Sequence, residues 1–250
     1  MFHFKTLAQY PQIVHQVTQK DPSLPFAGSL ALHTQEHPPA ILGNRAKLEA
    51  QYPTMHFVVA NQTHSANVQV VQSDQSYGWQ NPSDAIKDCD ALLTNQKGVM
   101  LTILTADCVP ILLFDPIHLV IGAVHAGWRG TQEQIVCKSI EKMQEVFGSD
   151  PKDIIAGIAP AIGRCCYEVN KEVAKHFFDD PHAMDQQGEK YMLDLPYINS
   201  QQLLQAGVNK KNIERSNICT ACEVENYFSY RKEHGCSGRF MSMIGLIKQP

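Results

Sequence analysis

The chain has 250 residues, of which 44% are hydrophobic and 18% are charged, so it has enough apolar material for one large domain or two small ones. Its formal net charge is -4, and it contains no basic run and no charge block, which argues against nucleic acid as a partner. No apolar run is long enough to cross a membrane, and the N-terminus lacks the apolar core and cleavage site of a signal peptide. We therefore expect a cytoplasmic protein with no membrane partner.

The first half of the chain is predicted to consist of short strands separated by loops. The first 50 residues are loop-rich and proline-containing, and Asn44-Arg45 is predicted to open a helix that runs to Ala50. The polar segment 74–87 contains Gly78 and Pro82 and is predicted to be a surface loop. Short apolar runs predict strands at 55–60, 68–71, 90–94 and 99–104.

Two apolar runs in the middle of the chain, 109–114 and 119–124, are separated by Asp115-Pro116. Such runs, broken by a turn signal, predict adjacent buried strands. Cys108 opens the first run and His125 closes the second. If the two strands are antiparallel neighbours, both side chains come to the same end of a sheet.

The segment after His125 predicts a turn and then a helix. Residues 126–130 form a glycine-bracketed turn, and Thr131 and Gln134 have the spacing of a capping box, with Thr131 as the N-cap. Apolar residues at helical spacing then predict a helix from 135 to 147 that ends at Gly148. A helix N-terminus attracts anions, and Arg129 stands just before it, so we predict that Arg129 binds phosphate.

The last hundred residues mix strands and helices without strict alternation. We predict a strand at 154–158, a helix at 170–178, an exposed loop at 177–190, a short helix at 200–206 capped by Gly207, and a closing strand at 239–247. This order favours the α+β class over a doubly wound sheet. We expect a single compact domain with a mixed β-sheet core flanked by helices.

A metal site is predicted from His64, Cys108 and His125. Catalytic zinc sites use three protein ligands with nitrogen or sulfur donors and leave one position open. Cys108 and His125 supply two donors, and His64 is the best third because it follows a predicted strand among small polar residues. The alternative is that all three are ordinary core or surface residues, because no compact ligand signature is present.

The chain has eight cysteines, which in a cytoplasmic protein are expected to be thiols, ligands or nucleophiles. Cys219-x-x-Cys222 has the spacing of a two-ligand or redox pair. A zinc ribbon needs a second pair, and the adjacent Cys165-Cys166 does not have that spacing, even with Cys236 nearby. We therefore predict that Cys219 and Cys222 are structural thiols without a metal or redox role.

Three further arginines, Arg45, Arg231 and Arg239, sit beside turn or aromatic residues. The planar guanidinium group binds phosphate and carboxylate in a fork geometry, so these arginines are candidate substrate or phosphate ligands. The alternative for each of them is a solvated surface residue.

Five segments together resemble one family. They are QTHSANV with His64, TADCVPI with Cys108, HAGWRG with His125, and the stretches 157–169 and 228–239. The chain resembles the YfiH family, whose members are also called laccase-domain proteins, multicopper polyphenol oxidases and purine nucleoside phosphorylases. The resemblance covers almost the whole chain, although the N-terminal 40 residues match less clearly.

The resemblance implies a YfiH-like α+β fold over residues 1–250 and a zinc ion held by His64, Cys108 and His125. It also implies phosphorolysis of adenosine, inosine, guanosine and methylthioadenosine, with adenosine deaminase activity. Asn44-Arg45 fits the family pattern, which implies substrate contacts there. A role in peptidoglycan editing has been attached to some bacterial members.

The residues argue against a multicopper cluster, because the chain has 11 histidines and no His-x-His pair. Copper remains an alternative to zinc at a Cys-His-His site, since its affinity commonly exceeds that of zinc. We predict a zinc-dependent purine nucleoside phosphorylase that binds nucleosides and phosphate, as a monomer or small homo-oligomer.

The leaving purine needs a proton donor or a polarising group, and Asp107 is the candidate. The alternative is a strand-end carboxylate bonded to backbone. Two other functional classes stay open. One is a thiol hydrolase or deamidase with Cys108 as nucleophile and His125 as base. The other is a non-catalytic metal-binding or cell-wall accessory protein.

Overall fold

The strands of the protein form three sheets. The computed structural model describes residues 1–34, 37–235 and 237–248. In that part of the chain the strands are β1 Ile13–Val17, β2 His56–Val59, β3 Val68–Val70, β4 Ala91–Thr94, β5 Val99–Thr105, β6 Val109–Asp115, β7 Val120–Ala126, β8 Ile155–Ile158, β9 Glu168–Val169, β10 Met184–Gln187, β11 Lys190–Leu193, β12 Ile213–Arg215 and β13 Phe240–Leu246.

The helices are few and mostly short. The α-helices are α1 Pro38–Glu49, α2 Trp128–Gln132, α3 Ile135–Phe147, α4 Lys171–Ala174 and α5 Leu195–Gln205. Single 3-10 turns occupy Leu7–Gln9, Pro25–Gly28, Pro82–Asp84, Pro151–Asp153, Lys175–Phe177 and Lys210–Asn212. Within the described ranges, no helix combines the length and the apolar character needed to span a bilayer.

Two mixed sheets carry the core. The first has the order β1-β13-β5-β2 and the second the order β12-β8-β6-β7-β4-β3, while β10, β11 and β9 make a small separate sheet. Strands β6 and β7 are adjacent and buried, as the sequence predicts. They pair antiparallel, with Pro110 opposite His125, which is the condition under which Cys108 and His125 come to the same end of a sheet. Mixed sheets with few helices confirm the predicted α+β class.

The two larger sheets stack face to face between helices, because their central strands are buried on both sides. In β6, Leu112 and Phe114 pack into the core between the sheets, while Ile111 and Leu113 pack against α3 and α5. A third cluster covers the outer face of the first sheet and includes Leu48 of α1. The result is a four-layer arrangement of helix, sheet, sheet and helices.

The chain crosses from one sheet to the other three times at the same end of the stack. Residues 60–67 connect β2 to β3, residues 106–108 connect β5 to β6, and residues 216–239 connect β12 to β13. The pairing directions place the ends of these strands together, since β2 is parallel to β5 and antiparallel β13 begins where β5 ends. This shared end of the two sheets is where functional side chains collect.

Several sequence expectations about the elements are wrong. Helix α1 begins at Pro38, six residues before the predicted start, because the proline pair at 38–39 occupies the first turn, where a missing N–H costs nothing. The segment expected to be a loop at 177–190 contains β10, which pairs with β11. In the first 50 residues, strand β1 pairs with β13. Of the cysteines discussed above, Cys236 lies outside the described residues.

Arg45 and Trp79 form a buried unit beneath α1. The Arg45 guanidinium lies over the Trp79 ring, and it donates to the carbonyl oxygens of Leu30, Gly78 and Trp79 at 2.6–2.9 Å. Trp79 is almost fully buried and stacks on Phe57, so the segment 74–87 is not simply a surface loop. Burial lowers the pKa of Arg45 to about 10, which still leaves it charged.

We expect Arg45→Met to lower the free energy of unfolding by about 3 kcal/mol, because three buried carbonyls lose their donor. Lys47→Met, on the exposed face of the same helix, is the matched control and should change it by less than about 0.5 kcal/mol. Denaturant unfolding of both variants measures the difference. An Arg45→Met protein as stable as the Lys47→Met protein would show that the buried Arg45 contacts do not stabilise the fold.

Candidate metal centre and active-site pocket

Three metal-ligating side chains meet where the chain crosses between the sheets. His64 lies in the first crossing, Cys108 in the second, and His125 near the end of β7. One donor atom from each lies within 4.8 Å of the other two. Cys108 Sγ is 4.0 Å from His64 Nε2, and the two histidine rings meet edge to face with centroids 4.9 Å apart. The structure therefore brings together all three residues that the sequence selects as ligands.

Asp90 holds two of these ligands in place. Its buried carboxylate lies 2.7 Å from Nδ1 of His125, which leaves Nε2 of that ring for a metal. The same carboxylate accepts hydrogen bonds from the backbone N–H groups of Thr63, His64 and Ser65. His64 has a positive φ of 61°, and this ring of donors fixes that uncommon backbone conformation. A carboxylate behind a ligating histidine is a common second layer in metal sites.

The charges of Cys108, His125 and Asp90 are coupled. Burial opposes protonation of His125, but attraction to Cys108 and the contact with Asp90 outweigh it and raise the pKa of His125 to about 9. Burial also opposes ionisation of Cys108, yet the two histidines lower the pKa of its thiol to about 6. For Asp90, burial is outweighed by the hydrogen bonds from His125 and Ser65, which lower its pKa to about 2. The thiol is thus prepared to act as a thiolate.

The space beside the donors suits a metal ion. A Cβ atom on Gly127 would lie 3.1 Å from the His64 ring and 3.2 Å from Cys108 Sγ, so glycine keeps this approach open. One thiolate and two imidazoles are a zinc donor set, and three protein ligands leave a coordination position for water or substrate. The residues present therefore fit the metal that the sequence predicts.

The three donors open into a cavity of about 520 Å³. That volume lies in the range of small-molecule sites. Tyr167 and Tyr230 provide aromatic surface in its wall, and Arg231 and Arg239 provide positive charge. His33 and Gln62 also line the cavity.

Arg231 and Arg239 reach this cavity from the third crossing, which agrees with the selection of both from the sequence. Arg231 lies over the Tyr167 ring and donates through Nη1 to the Glu168 carbonyl at 2.7 Å. Arg239 lies over the Tyr230 ring and donates to the backbone carbonyls of Ser237 and Gly238. Both guanidinium groups are thus held against aromatic rings in the cavity wall.

Asp107 acts as a brace in the second crossing. One carboxylate oxygen accepts from the Thr220 hydroxyl and the other from the Arg231 backbone N–H, both at 2.7 Å. Its backbone has a φ of 86°, and its carbonyl accepts a hydrogen bond from Ile162. This geometry does not support the predicted proton transfer by Asp107, because both oxygens already hold donors. The residue is placed to position Cys108 and Arg231.

Arg129 does not line the cavity, contrary to its predicted place in the site. The helix begins at Trp128 with Gly127 as its N-cap, not at Thr131 as the capping box predicts. Arg129 is therefore inside a short helix, with its guanidinium over the neighbouring Trp128 ring. Gln134 has a left-handed conformation and separates α2 from α3. The argument for phosphate at a helix start is lost.

Asn44 and Arg45 also lie outside the cavity wall. The Asn44 amide is buried and donates to the carbonyls of Pro25 and Ser29, at 3.0 Å each. Both residues thus hold the N-terminal segment to α1. The Asn44-Arg45 motif, from which the resemblance implied substrate contacts, is explained here by packing.

The sequence analysis did not identify Asp90, Tyr167 or His33 as site residues. For Asp90 a signal was available, since it is a charged residue at the start of the strand predicted at 90–94, directly before a run of apolar residues.

The adjacent pair Cys165-Cys166, which lacks the spacing of a zinc-ribbon pair, lies beside Cys219-x-x-Cys222 in the fold. Cys165, Cys166, Cys219 and Cys222 lie together, with one sulfur from each within 4.8 Å of the other three. The two segments are far apart in sequence and meet only in the fold. The spacing rules for zinc ribbons require two cysteines separated by other residues, so they do not predict that the adjacent Cys165 and Cys166 join a group of four cysteines.

The fold and the site define an α+β protein in which His64, Cys108 and His125 form a candidate metal site beside a ligand-sized cavity. Residues 23–247 match the family model described as multi-copper polyphenol oxidoreductase laccase. The chain belongs to this family, which is the YfiH family that the sequence motifs indicate.

Solved structures of relatives share this fold, and curated relatives are named purine nucleoside phosphorylase, whereas the family model is described as a laccase. A Bacillus subtilis (strain 168) protein named purine nucleoside phosphorylase YlmD is 34% identical over 223 residues, covering 86% of this chain and 80% of the relative. The crystal structure of YlmD from Geobacillus stearothermophilus matches with a TM-score of 0.91 and 34% identity, over 96% of this chain and 93% of that one. The Bacillus licheniformis hypothetical protein YfiH matches with a TM-score of 0.89 and 34% identity, over 94% and 93%. The predicted YfiH-like fold is confirmed.

We expect Asp90→Asn to weaken metal binding at the triad by about 10- to 100-fold, because the amide cannot hold the His125 ring as a carboxylate does. Asp88→Asn is the matched control, since Asp88 is an exposed neighbour whose side chain bonds the Thr63 hydroxyl rather than a ligand. Competition with a metal-binding dye measures both affinities. Equal affinities in the two variants would show that Asp90 does not support the ligands.

Proposed function

We propose that this chain is a metal-dependent purine nucleoside phosphorylase. Its substrates would be adenosine, inosine, guanosine and methylthioadenosine, and it would also deaminate adenosine. The observation that carries the proposal is the His64–Cys108–His125 group, which opens into a cavity large enough for a nucleoside. The relatives named purine nucleoside phosphorylase supply the reaction class. The proposed domain spans residues 1–250, and its thiolate ligand suits the reducing cytoplasm.

Zinc is the proposed metal, held by His64, Cys108 and His125. When bound there, zinc would supply Lewis acidity toward a water or substrate oxygen. Asp90 keeps the His125 ring oriented through Nδ1. Deep burial of His125 and Asp90 excludes water from the back of the site, which strengthens electrostatic interactions inside it.

The purine is proposed to lie against the aromatic wall formed by Tyr167 and Tyr230. Flat rings of this kind stack on nucleobases. In phosphorolysis the bond from C1′ to the base nitrogen breaks, a bond from C1′ to a phosphate oxygen forms, and the base leaves with the bonding electron pair. In deamination, water adds at C6 and ammonia leaves.

Phosphate is proposed to bind at Arg231, with Arg239 as its neighbour. Arg231 uses Nη1 for the Glu168 carbonyl, and among the described residues its Nε and Nη2 atoms donate to no acceptor. That edge of the guanidinium offers two parallel donors, which is the geometry that phosphate accepts. Arg129 is the residue that the sequence analysis predicts to bind phosphate, so a substitution of Arg129 is the control for a substitution of Arg231.

A thiol hydrolase is the second candidate, and one observation favours it. Cys108, His125 and Asp90 are arranged as nucleophile, base and orienting carboxylate, which is the order of a catalytic triad. His64 beside the Cys108 sulfur favours metal ligation instead, because a thiol nucleophile needs no second imidazole. Copper at the same site would support oxidase chemistry of one metal ion. The described residues contain two groups of candidate metal donors, four cysteines and the His64–Cys108–His125 group. Only the second group contains histidine, so the donors do not suit a multicopper cluster.

Product analysis with adenosine tests the reaction class. We expect adenine and ribose 1-phosphate only when phosphate is present, and inosine with or without it. A chelator should abolish both activities and zinc should restore them. Cys108→Ala should lose about 100-fold or more in rate together with its triad metal, whereas the buried Cys137→Ser should keep both.

Other products would decide for the alternatives. Chelator-resistant turnover that stops on alkylation of Cys108 would support the thiol hydrolase. Phenol oxidation that follows copper content, without nucleoside turnover, would support the oxidase. Metal binding without any turnover would leave a non-catalytic accessory protein.

Arg231→Gln should raise the KM for phosphate about 10- to 100-fold, because one charge-assisted contact to the anion is lost. Deamination of adenosine, which consumes no phosphate, should change much less. Arg129→Gln is the matched control and should leave the phosphate KM within about twofold, since Arg129 does not line the cavity. Initial rates at varied phosphate and fixed nucleoside measure this. The reverse result would return the phosphate to Arg129.

A further inference from the structure

We propose that Cys165, Cys166, Cys219 and Cys222 form a second metal site, a closed tetrathiolate zinc site. It is separate from the His64–Cys108–His125 centre and has no open coordination position. Its proposed task is structural. It would join the segment after β8 to the segment after β12, behind the wall of the active-site cavity.

The topology delivers both cysteine pairs to one place. Strands β8 and β12 are parallel neighbours, with Ile158 opposite Arg215, so the chain leaves both strands in the same direction. The pairing continues beyond the strands as a bridge between Ala161 and Cys219. The adjacent pair at 165–166 then turns back toward the C-x-x-C segment at 219–222.

The distances between the sulfurs have the scale of a metal tetrahedron. Cys165 Sγ and Cys166 Sγ each lie 3.5 Å from Cys222 Sγ, and all four sulfurs lie within 4.8 Å of one another. Zinc–sulfur bonds of about 2.3 Å in a tetrahedron give sulfur–sulfur edges of about 3.8 Å. A disulfide would instead need about 2.05 Å between two of them.

The surrounding backbone is built for thiolates. The Gly163 N–H points at Cys219 Sγ from 3.2 Å. A Cβ atom on Gly163 would lie 3.4 Å from Cys165 Sγ and 3.3 Å from Cys219 Cβ, so glycine allows this close approach. Backbone donors to the first sulfur of a C-x-x-C turn stabilise a charged ligand.

Core packing does not account for the cluster. Cys165 and Cys222 are exposed and Cys166 and Cys219 are half-buried, and none of the four belongs to the described hydrophobic clusters. Four thiols this close together form a set of soft donors, and a bound metal ion would deprotonate the thiols that coordinate it. Four soft sulfur donors in a tetrahedron select zinc or iron, and a closed set of four cysteines is a structural zinc site.

The site would also steady the catalytic cavity, a consequence that rests on the proposed function. Thr220, inside the C-x-x-C turn, donates to Asp107, the residue before Cys108. Tyr167 directly follows Cys166 and lines the cavity. Loss of the second metal should therefore raise the KM for nucleoside more than it lowers kcat.

Metal analysis of the full-length protein tests the site. We expect two zinc ions per chain in the protein as isolated, and one in the Cys165→Ser/Cys222→Ser variant. The variant His64→Ala/Cys108→Ala/His125→Ala should also keep one. X-ray absorption at the zinc edge of that triple variant should show four sulfur neighbours at about 2.3 Å. Cys137→Ser is the matched cysteine control and should keep two ions.

Three results would overturn the proposal. The first is that the triple variant contains no metal. The second is that its zinc ion has fewer than four sulfur neighbours, and the third is that it contains iron instead of zinc. Titration of thiols in denaturant with a chelator adds a check that requires no variant. Two fewer thiols than the eight in the sequence would reveal a disulfide, and a disulfide that includes any of the four cysteines would exclude the site. Absence of nucleoside turnover with two zinc ions bound would refute the proposed function and leave this site standing.

Discussion

The arrangement of the candidate metal ligands His64 and His125 depends on their contacts with the Asp90 carboxylate. That carboxylate is buried and charged, and such a group is tolerated only when donors surround it. Here the donors come from the turn that carries His64 and from the His125 ring. Two ligands from different parts of the chain are therefore oriented by one anion. Because the Asp90 carbonyl also accepts the His125 backbone N–H at 2.7 Å, the pairing of β4 with β7 sets the position of that anion.

The sequence predicts the strands of the site well and their assembly poorly. The runs that become β6 and β7 are apolar throughout, so their identity as buried strands and the meeting of Cys108 with His125 follow from pattern alone. Because polar and apolar residues do not alternate along these strands, the sequence does not indicate that β5 and β6 belong to different sheets. When both faces of a strand are buried, periodicity does not indicate which neighbours cover them. The three crossings, and with them the cavity, come from tertiary packing.

The wrong predictions arise where a local signal serves a tertiary contact. Thr131 resembles an N-cap, but it is fully buried and its hydroxyl accepts a hydrogen bond from Asn199 of α5. Arg45 resembles a ligand, but a long side chain with several donors also suits buried carbonyl groups, and here it donates to those of Leu30 and Gly78. Residue type and spacing describe what a side chain is able to do. Burial then decides which of these uses is realised.

The His64–Cys108–His125 group is proposed to hold a catalytic metal and the four cysteines a structural one, and the surroundings of the two groups differ accordingly. The triad places three donors on the wall of a cavity and leaves room beside Gly127, so an ion there would keep a position for substrate. The four cysteines would surround an ion completely and leave no such position. A hydrogen bond from Thr220 to Asp107 connects the second group to the residue before Cys108. Rigid support of this kind matters because a displacement of about 1 Å in a catalytic group can cost about 100-fold in rate. The cysteines would therefore influence the chemistry only through the positions of Asp107 and Tyr167, which is the way a structural metal supports a catalytic one.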